Sequence, residues 1–158
     1  MIQNFRDSQN NQISFEEIAK LIDSDSIYEV YIGTDSKVKK KDKIVNYATC
    51  IILYKKGKGG KIFIKKDKKS LSSSLRERLT NEVWKSLETS MELSKFLPKN
   101  SEIIIHIDAN KSPRHKSGNY SQELAALVSG QGFKFKLKPD AFAAQSVADK
   151  FVKKGDVS

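Results

Sequence analysis

The spacing of hydrophobic and polar residues along the chain predicts a mixed α/β fold. Alternating and β-branched positions at 28–34 and 45–54 predict two strands, and residues 61–64, after a glycine-rich turn, predict a third strand that forms a meander with them. Residues 102–108 predict a fourth strand that is apolar on both faces, as is typical of a central parallel strand. Residues 133–137 predict a fifth strand.

Four helices are predicted around these strands. The sequence Ser14-Phe15-Glu16-Glu17 has the form of a capping box, which predicts a short helix ending near residue 22. N-cap candidates at 72–74 precede a long helix that extends to about residue 96, and its leucine and valine side chains recur every four positions as a buried stripe. Two further helices are expected at about 119–129 and 139–152.

This order of elements predicts one α/β domain built on a mixed five-stranded sheet. The three-strand antiparallel meander forms one side of the sheet, two parallel strands form the other, and helices flank the sheet. We expect residues 1–13 to be a loose N-terminal tail and residues 14–158 to be a single domain, since 158 residues are about one domain's worth.

Composition excludes several classes of protein. No apolar run exceeds five residues, so no segment approaches the roughly 20 residues that a membrane-spanning helix needs. The single cysteine, Cys50, has no second cysteine with which to form an internal disulfide or a zinc cluster. The N-terminal residues contain no apolar signal region, and we therefore expect a cytoplasmic protein.

The chain is strongly basic, with 29 lysine and arginine residues against 19 acidic residues and a net charge of +10. Most basic clusters lie in or beside predicted loops, and loops that converge on one side would form a surface for a phosphate backbone. A basic surface that only maintains solubility is the alternative. The basic residues expected to contact nucleic acid are Lys37, Lys55, Lys56, Lys58, Lys111, Arg114, His115 and Lys116.

Three aspartates follow three different predicted strands. Asp35 comes after the first strand, Asp108 ends the fourth, and Asp140 follows the fifth. If these strands are parallel, all three carboxylates lie at the carboxyl edge of the sheet, where open α/β sheets bind ligands. Clustered carboxylates suit Mg²⁺ or Mn²⁺, and two such ions can cleave a phosphodiester. Taken singly, each aspartate is equally compatible with a turn or a helix cap.

The fourth ligand is expected from a glutamate of the long helix, and the candidates are Glu77, Glu82 and Glu88. At 100° per residue, Glu82 lies about 20° from Leu75 and about 60° from Leu79, on the shoulder of the buried stripe. Glu77 is the fallback if the helix is rotated, and a solvated helix glutamate is the alternative to both.

The order of elements and these acidic positions resemble the ribonuclease H-like superfamily over roughly residues 28–152. Within it, the sequence looks most like the YkuK family of bacterial proteins. The shared motifs are Ile32-Gly33-Thr34-Asp35-Ser36, Gly57-Lys58-Gly59, His106-Ile107-Asp108 and Lys138-Pro139-Asp140-Ala141-Phe142.

The resemblance implies an acidic metal site of four residues. The aspartate of the first strand is matched by Asp35, the glutamate of the following helix by Glu82, and the aspartate of the fourth strand by Asp108. The last acidic position is matched by Asp140 in an Asp-x-x-Ala setting, and Asp149 on the same predicted helix is an alternative.

The leading hypothesis is a divalent-metal-dependent nucleic-acid phosphodiesterase with two Mg²⁺ or Mn²⁺ ions that bind weakly without substrate. A non-catalytic nucleic-acid-binding module with the same fold and basic surface is the alternative, and an assembly domain with a structural acidic cluster is a third possibility. Intact geometry of the four carboxylates would favour the enzyme. A lysine salt bridge into the cluster would favour either of the other two.

Overall fold

A computed structural model describes residues 4–22, 28–55, 59–71, 74–99, 101–110, 114 and 116–138. The strands are β1 (Phe5–Arg6), β2 (Gln12–Ile13), β3 (Tyr28–Lys39), β4 (Ile44–Lys55), β5 (Gly59–Ser70), β6 (Glu102–Asn110) and β7 (Lys134–Lys138). The helices are α1 (Phe15–Lys20), α2 (Leu75–Ser94) and α3 (Ser121–Gly130), with a 3₁₀ turn at Lys116–Asn119. The helix predicted at 139–152 lies outside the described residues.

All seven strands belong to one sheet, in the order β2-β1-β5-β4-β3-β6-β7. Strands β3, β4 and β5 form the predicted antiparallel meander, and β6 and β7 pair in parallel on the other side of β3. The predicted count of five strands is wrong, because two short strands extend the sheet beyond β5.

The two additional strands come from residues that we expected to be a loose tail. β1 and β2 pair antiparallel with each other, and Arg6 of β1 pairs with Ile64 of β5. Phe5 anchors this hairpin: its side chain is only 2% exposed, and its ring packs edge-on against Phe15 at 5.5 Å between centroids. A two-residue strand carries too little periodicity to be recognised in the sequence, and tertiary contacts fix its place in the sheet. The outer bounds of the domain remain a prediction.

Strands β3 and β5 are longer than predicted, because they continue through lysine-rich sequence that we assigned to loops. β3 extends to Lys39, and β5 extends from Gly59 to Ser70, so that these two strands and β4 have 12 residues each. A ladder joins backbone groups, and exposed lysine side chains do not interfere with it. The basic clusters at 37–39, 65–69 and 134–138 therefore lie on strands.

The three α-helices of the described residues pack on one face of the sheet and enclose the main core. α1 begins with the predicted capping box, in which Ser14 and Glu17 exchange side-chain and backbone hydrogen bonds. α2 buries the predicted stripe, with Leu79, Val83 and Leu87 at most 5% exposed. None of the described helices has the length and apolar character needed to cross a membrane.

Candidate metal centre

The candidate site lies where the two central parallel strands separate. The ladder between β3 and β6 pairs residues 29–33 with residues 102–106 and ends at Gly33 and His106. Beyond that point β3 continues along β4 as far as Lys39. Asp35 and Asp108 each lie two residues past the last pair, so the end of the ladder places one carboxylate on each side of the opening.

Glu82 reaches the same opening from the helix-covered side of the sheet. Thr34 contacts Ser86 of α2 through their hydroxyl groups at 2.7 Å, which fixes α2 against β3 one turn away from Glu82. The Ser36 hydroxyl donates a hydrogen bond to Glu82 Oε2. The Ser36 backbone N–H donates to Asp35 Oδ1 at 2.9 Å. Ser36 therefore orients two of the carboxylates, a role that sequence reasoning missed although it follows Asp35 directly.

The three carboxylates are close enough to share an ion. Asp35, Glu82 and Asp108 each offer an oxygen within 4.8 Å of the other two. For three atoms 4.8 Å apart, an equidistant point lies about 2.8 Å from each. Oxygen ligands bind Mg²⁺ at about 2.0–2.1 Å, so the side chains would need to close by less than about 1 Å.

Glu82 also carries an unused acceptor. Its side chain is 4% exposed, and its Oε1 atom is buried with no hydrogen-bond donor among the described residues. A buried carboxylate oxygen without a donor or a cation is energetically costly. The hard oxygens and this unsatisfied acceptor fit a divalent cation.

Electrostatics at the site disfavour three full negative charges. Burial raises the pKa of Glu82 well above its ordinary range, and the charges of Asp108 and Asp35 raise it further. The hydrogen bond from Ser36 and the positive charge of Arg78 act in the opposite direction. Glu82 therefore favours its protonated form unless additional positive charge enters the cluster.

One lysine already contacts the cluster. Lys138 of β7 forms an ion pair with Asp108, and the side chains are 32% and 16% exposed, respectively. Sequence reasoning missed this contact, although Lys138 directly precedes Pro139 and Asp140. The sequence could not indicate this ion pair, because it depends on the parallel pairing of β6 with β7, which brings the two side chains together.

The other acidic candidates either lie away from the opening or lie outside the described residues. Glu77 is exposed in the first turn of α2, and Glu88 is also exposed, so Glu82 is the glutamate among these three that reaches the opening. Asp140 and Asp149 lie outside the described residues, and their proposed roles remain predictions. His106 is 6% exposed, and the centroid of its ring lies 4.8 Å from that of the Tyr31 ring.

The predicted nucleic-acid contacts do not all lie near these carboxylates. Lys37 is exposed on β3, two residues beyond Asp35. Lys55 pairs with Tyr28 at the other end of β3 and lies over its ring at 5.6 Å. Seven residues of strand separate Tyr28 from Asp35, which is about 23 Å. Lys37 and Lys55 therefore lie near opposite ends of β3 and do not converge on one side.

The other basic candidates follow β6. Arg114 is exposed, and Lys116 begins the 3₁₀ turn. Lys56, Lys58, Lys111 and His115 lie outside the described residues.

Comparison with known proteins places this geometry in a family. Residues 14–153 match the family described as "Ribonuclease H-like". The chain is also 27% identical to "Uncharacterized protein YkuK" of Bacillus subtilis (strain 168), over 90% of this chain and 92% of that protein. Because the family match covers most of the sequence and agrees with the resemblance in motifs, the chain belongs to the ribonuclease H-like family.

Proposed function

We propose that this protein is a divalent-metal-dependent phosphodiesterase that hydrolyses nucleic acid. The observation that carries the proposal is the meeting of Asp35, Glu82 and Asp108 within 4.8 Å, where β3 and β6 separate. Fold alone does not determine activity, and a partly buried carboxylate cluster adds chemical evidence to family membership.

In this proposal, the three carboxylates hold Mg²⁺ or Mn²⁺, and Asp140 is the proposed fourth ligand for a second ion. When bound, such ions activate a water molecule and stabilise the leaving oxygen of a phosphodiester. Ser36 holds Glu82 and Asp35 in position through its hydroxyl and its backbone N–H. The low exposure of Glu82 keeps water from solvating its carboxylate, so a cation gains the full interaction with it.

A second candidate function is a non-catalytic nucleic-acid-binding module, and the ion pair between Lys138 and Asp108 favours it. A lysine ammonium that neutralises Asp108 would leave less charge for a metal ion. Two considerations keep the enzyme as the leading proposal. Lys138 is 32% exposed and can turn towards solvent, and a divalent ion attracts the same carboxylate twice as strongly as an ammonium at equal distance.

Cleavage measurements distinguish the two functions. Labelled duplex DNA, RNA–DNA hybrid, single-stranded RNA and a branched junction are incubated with Mg²⁺ or Mn²⁺ and the wild type, Asp35→Asn, Asp108→Asn or the control Glu88→Gln. We expect cleavage by the wild type and the control, and a loss of orders of magnitude in both Asn variants, because each 1.4 kcal/mol of lost transition-state stabilisation is about tenfold in rate.

Binding in EDTA is measured on the same substrates. Retained binding by the Asn variants is expected, since neither substitution removes a basic side chain. Tight binding by a wild type that cleaves none of the substrates would reject the enzyme in favour of the binding module.

A further inference from the structure

We propose that Thr34 and Ser86 are positioning residues for the metal centre, and that the hydrogen bond between their hydroxyl groups sets the separation of Asp35 from Glu82. The inference rests on the proposed function, because the two residues have this role only if the carboxylates bind a metal ion. It differs from the contribution of Ser36, which bonds to both carboxylates directly. Thr34 and Ser86 act through the backbone to which the carboxylates are attached.

Three hydroxyl groups form a buried chain between the sheet and α2. Thr34 of β3 pairs directly with Thr49 of β4, so both side chains point to the same face, on which α2 lies. Thr34 Oγ1 lies 3.1 Å from Thr49 Oγ1 and 2.7 Å from Ser86 Oγ. The exposed fractions of Thr34, Thr49 and Ser86 are 5%, 0% and 1%. Moving the helix away from this position would leave buried hydroxyls without these partners, which is energetically costly.

The hydroxyl chain lies beside apolar rows of the main core. The preceding row on the same face pairs Ile32 with Ile51, and Leu87 follows Ser86 on α2; all three apolar residues are 0% exposed. Apolar contact has no preferred direction, so valines in place of the threonines would bury a similar area without fixing the helix along the strand. A hydrogen bond between hydroxyls holds its oxygens about 2.5–3.0 Å apart within a narrow range of angles. The chain therefore fixes where α2 lies along β3.

Other buried hydroxyls of α2 bond to the helix itself. Thr89 donates to the carbonyl of Lys85 at 2.8 Å, and Ser90 donates to the carbonyl of Ser86 at 2.8 Å. The Ser86 hydroxyl instead bonds across to Thr34 of the sheet. The polar character of the buried face of α2 therefore does not by itself account for this contact, and Ser86 has a distinct role.

The position of this hydrogen bond couples it to two of the proposed metal ligands. Thr34 directly precedes Asp35, and Ser86 follows Glu82 by four residues, which is about 6 Å along the helix axis. A shift of α2 along β3 would move Glu82 relative to Asp35 by a similar distance, because the helix moves as a unit. The carboxylate oxygens lie within 4.8 Å of one another and need to close by less than about 1 Å to bind Mg²⁺. A displacement of about 1 Å away from Asp35 would roughly double that movement.

The test separates positioning from stability. Thr34→Val and Ser86→Ala each remove one partner of the hydrogen bond and leave the shape of the side chain nearly unchanged. Thr49→Val is the matched control, because it makes the same change in the same chain on a strand that carries none of the three carboxylates. Thr34→Ser retains the hydroxyl. Mn²⁺ binding is measured by proton relaxation enhancement, and the free energy of unfolding is measured with urea in EDTA.

We expect Thr34→Val and Ser86→Ala to weaken Mn²⁺ binding about three- to tenfold, less than the roughly 10–100-fold typical of groups that contact a metal ligand directly. The double variant should bind Mn²⁺ no more weakly than the single variants, since both substitutions remove the same hydrogen bond. Thr49→Val should lose a similar amount of stability but bind Mn²⁺ like the wild type. Thr34→Ser should also bind Mn²⁺ like the wild type.

Two results would overturn the positioning role. If Thr34→Val and Ser86→Ala lose stability but bind Mn²⁺ like the wild type, while Asp35→Asn does not, the hydrogen bond is structural only and the metal centre stands. If Thr49→Val weakens Mn²⁺ binding as much as Thr34→Val does, general packing sets the site rather than this hydrogen bond.

Failure of the proposed function gives different results. If the wild type binds no Mn²⁺, the metal centre and the positioning role are both rejected. If Mn²⁺ binding follows the expected pattern but none of the nucleic-acid substrates is cleaved, the nuclease is rejected and the positioning role is supported.

Discussion

Removing the Asp108 carboxylate should weaken metal binding, and the geometry of the site sets a minimum for the loss of binding free energy. Asp108→Asn keeps the shape of the side chain and removes one unit of charge. A divalent ion 4.8 Å from that charge, the widest separation in the cluster, gains about 2 kcal/mol at a dielectric constant near 80 and about 7 kcal/mol near 20. Direct coordination brings the charges closer and increases both values.

The ion pair with Lys138 reduces this loss. In the wild type a metal ion must displace Lys138 from the Asp108 carboxylate, and Asp108→Asn removes this competition. A partly exposed pair contributes about 1 kcal/mol or less. The net cost is then at least about 1 kcal/mol, which is roughly a fivefold weakening, and the low-dielectric value implies more than a thousandfold.

Proton relaxation enhancement with Mn²⁺ is a suitable assay, because it follows weak binding at millimolar protein and metal. We expect weak binding by the wild type and by the control Glu88→Gln, which removes the same charge from an exposed position on α2. Asp35→Asn and Glu82→Gln should weaken binding as Asp108→Asn does. If all three variants bind Mn²⁺ like Glu88→Gln, the carboxylate cluster is not a metal site.

Three further predictions concern stability and reactivity. Phe5→Ala should cost about 3 kcal/mol, because the side chain is 2% exposed, whereas Phe135→Ala, at a 36% exposed ring, should cost less than about 1 kcal/mol; urea unfolding that gives equal losses would contradict the role of Phe5 as an anchor. Because folding raises the pKa of Glu82, its stabilising contribution is full below its unfolded pKa of about 4.3 and is lost as pH rises through the folded pKa. Glu82→Gln should therefore be more stable than the wild type in EDTA at pH 7 and equal to it at pH 3.5, and a difference that does not change with pH would refute this linkage. Burial raises the pKa of the Cys50 thiol to about 12, so a thiol reagent should label it only after denaturation, and rapid labelling of the native protein would disprove its burial.

The sequence alone determined the elements whose signals are local. The capping box at Ser14, the buried stripe of α2 and the apolar β6 strand each follow from neighbouring residues, and the structure confirms them. The choice of Glu82 over Glu77 also followed from helix geometry, because an angle of 100° per residue fixes which side chains share the buried face. The meeting of Asp35 and Asp108 was predicted from strand ends that proved wrong, because β3 continues to Lys39 and β6 to Asn110, and the two carboxylates meet where the ladder between β3 and β6 ends.

Tertiary structure decided whatever depends on residues that are distant in the chain. The hairpin of Phe5 pairs with β5 across more than 50 residues, and the contact of Lys138 with Asp108 arises from the pairing of β6 with β7. Which lysines of β3 and β5 share a face of the sheet depends on the register of these strands with β4, since a shift of one residue would turn a strand's lysines to the opposite side. Local periodicity specifies elements and their faces, but register and partners are fixed by burial of the whole sheet.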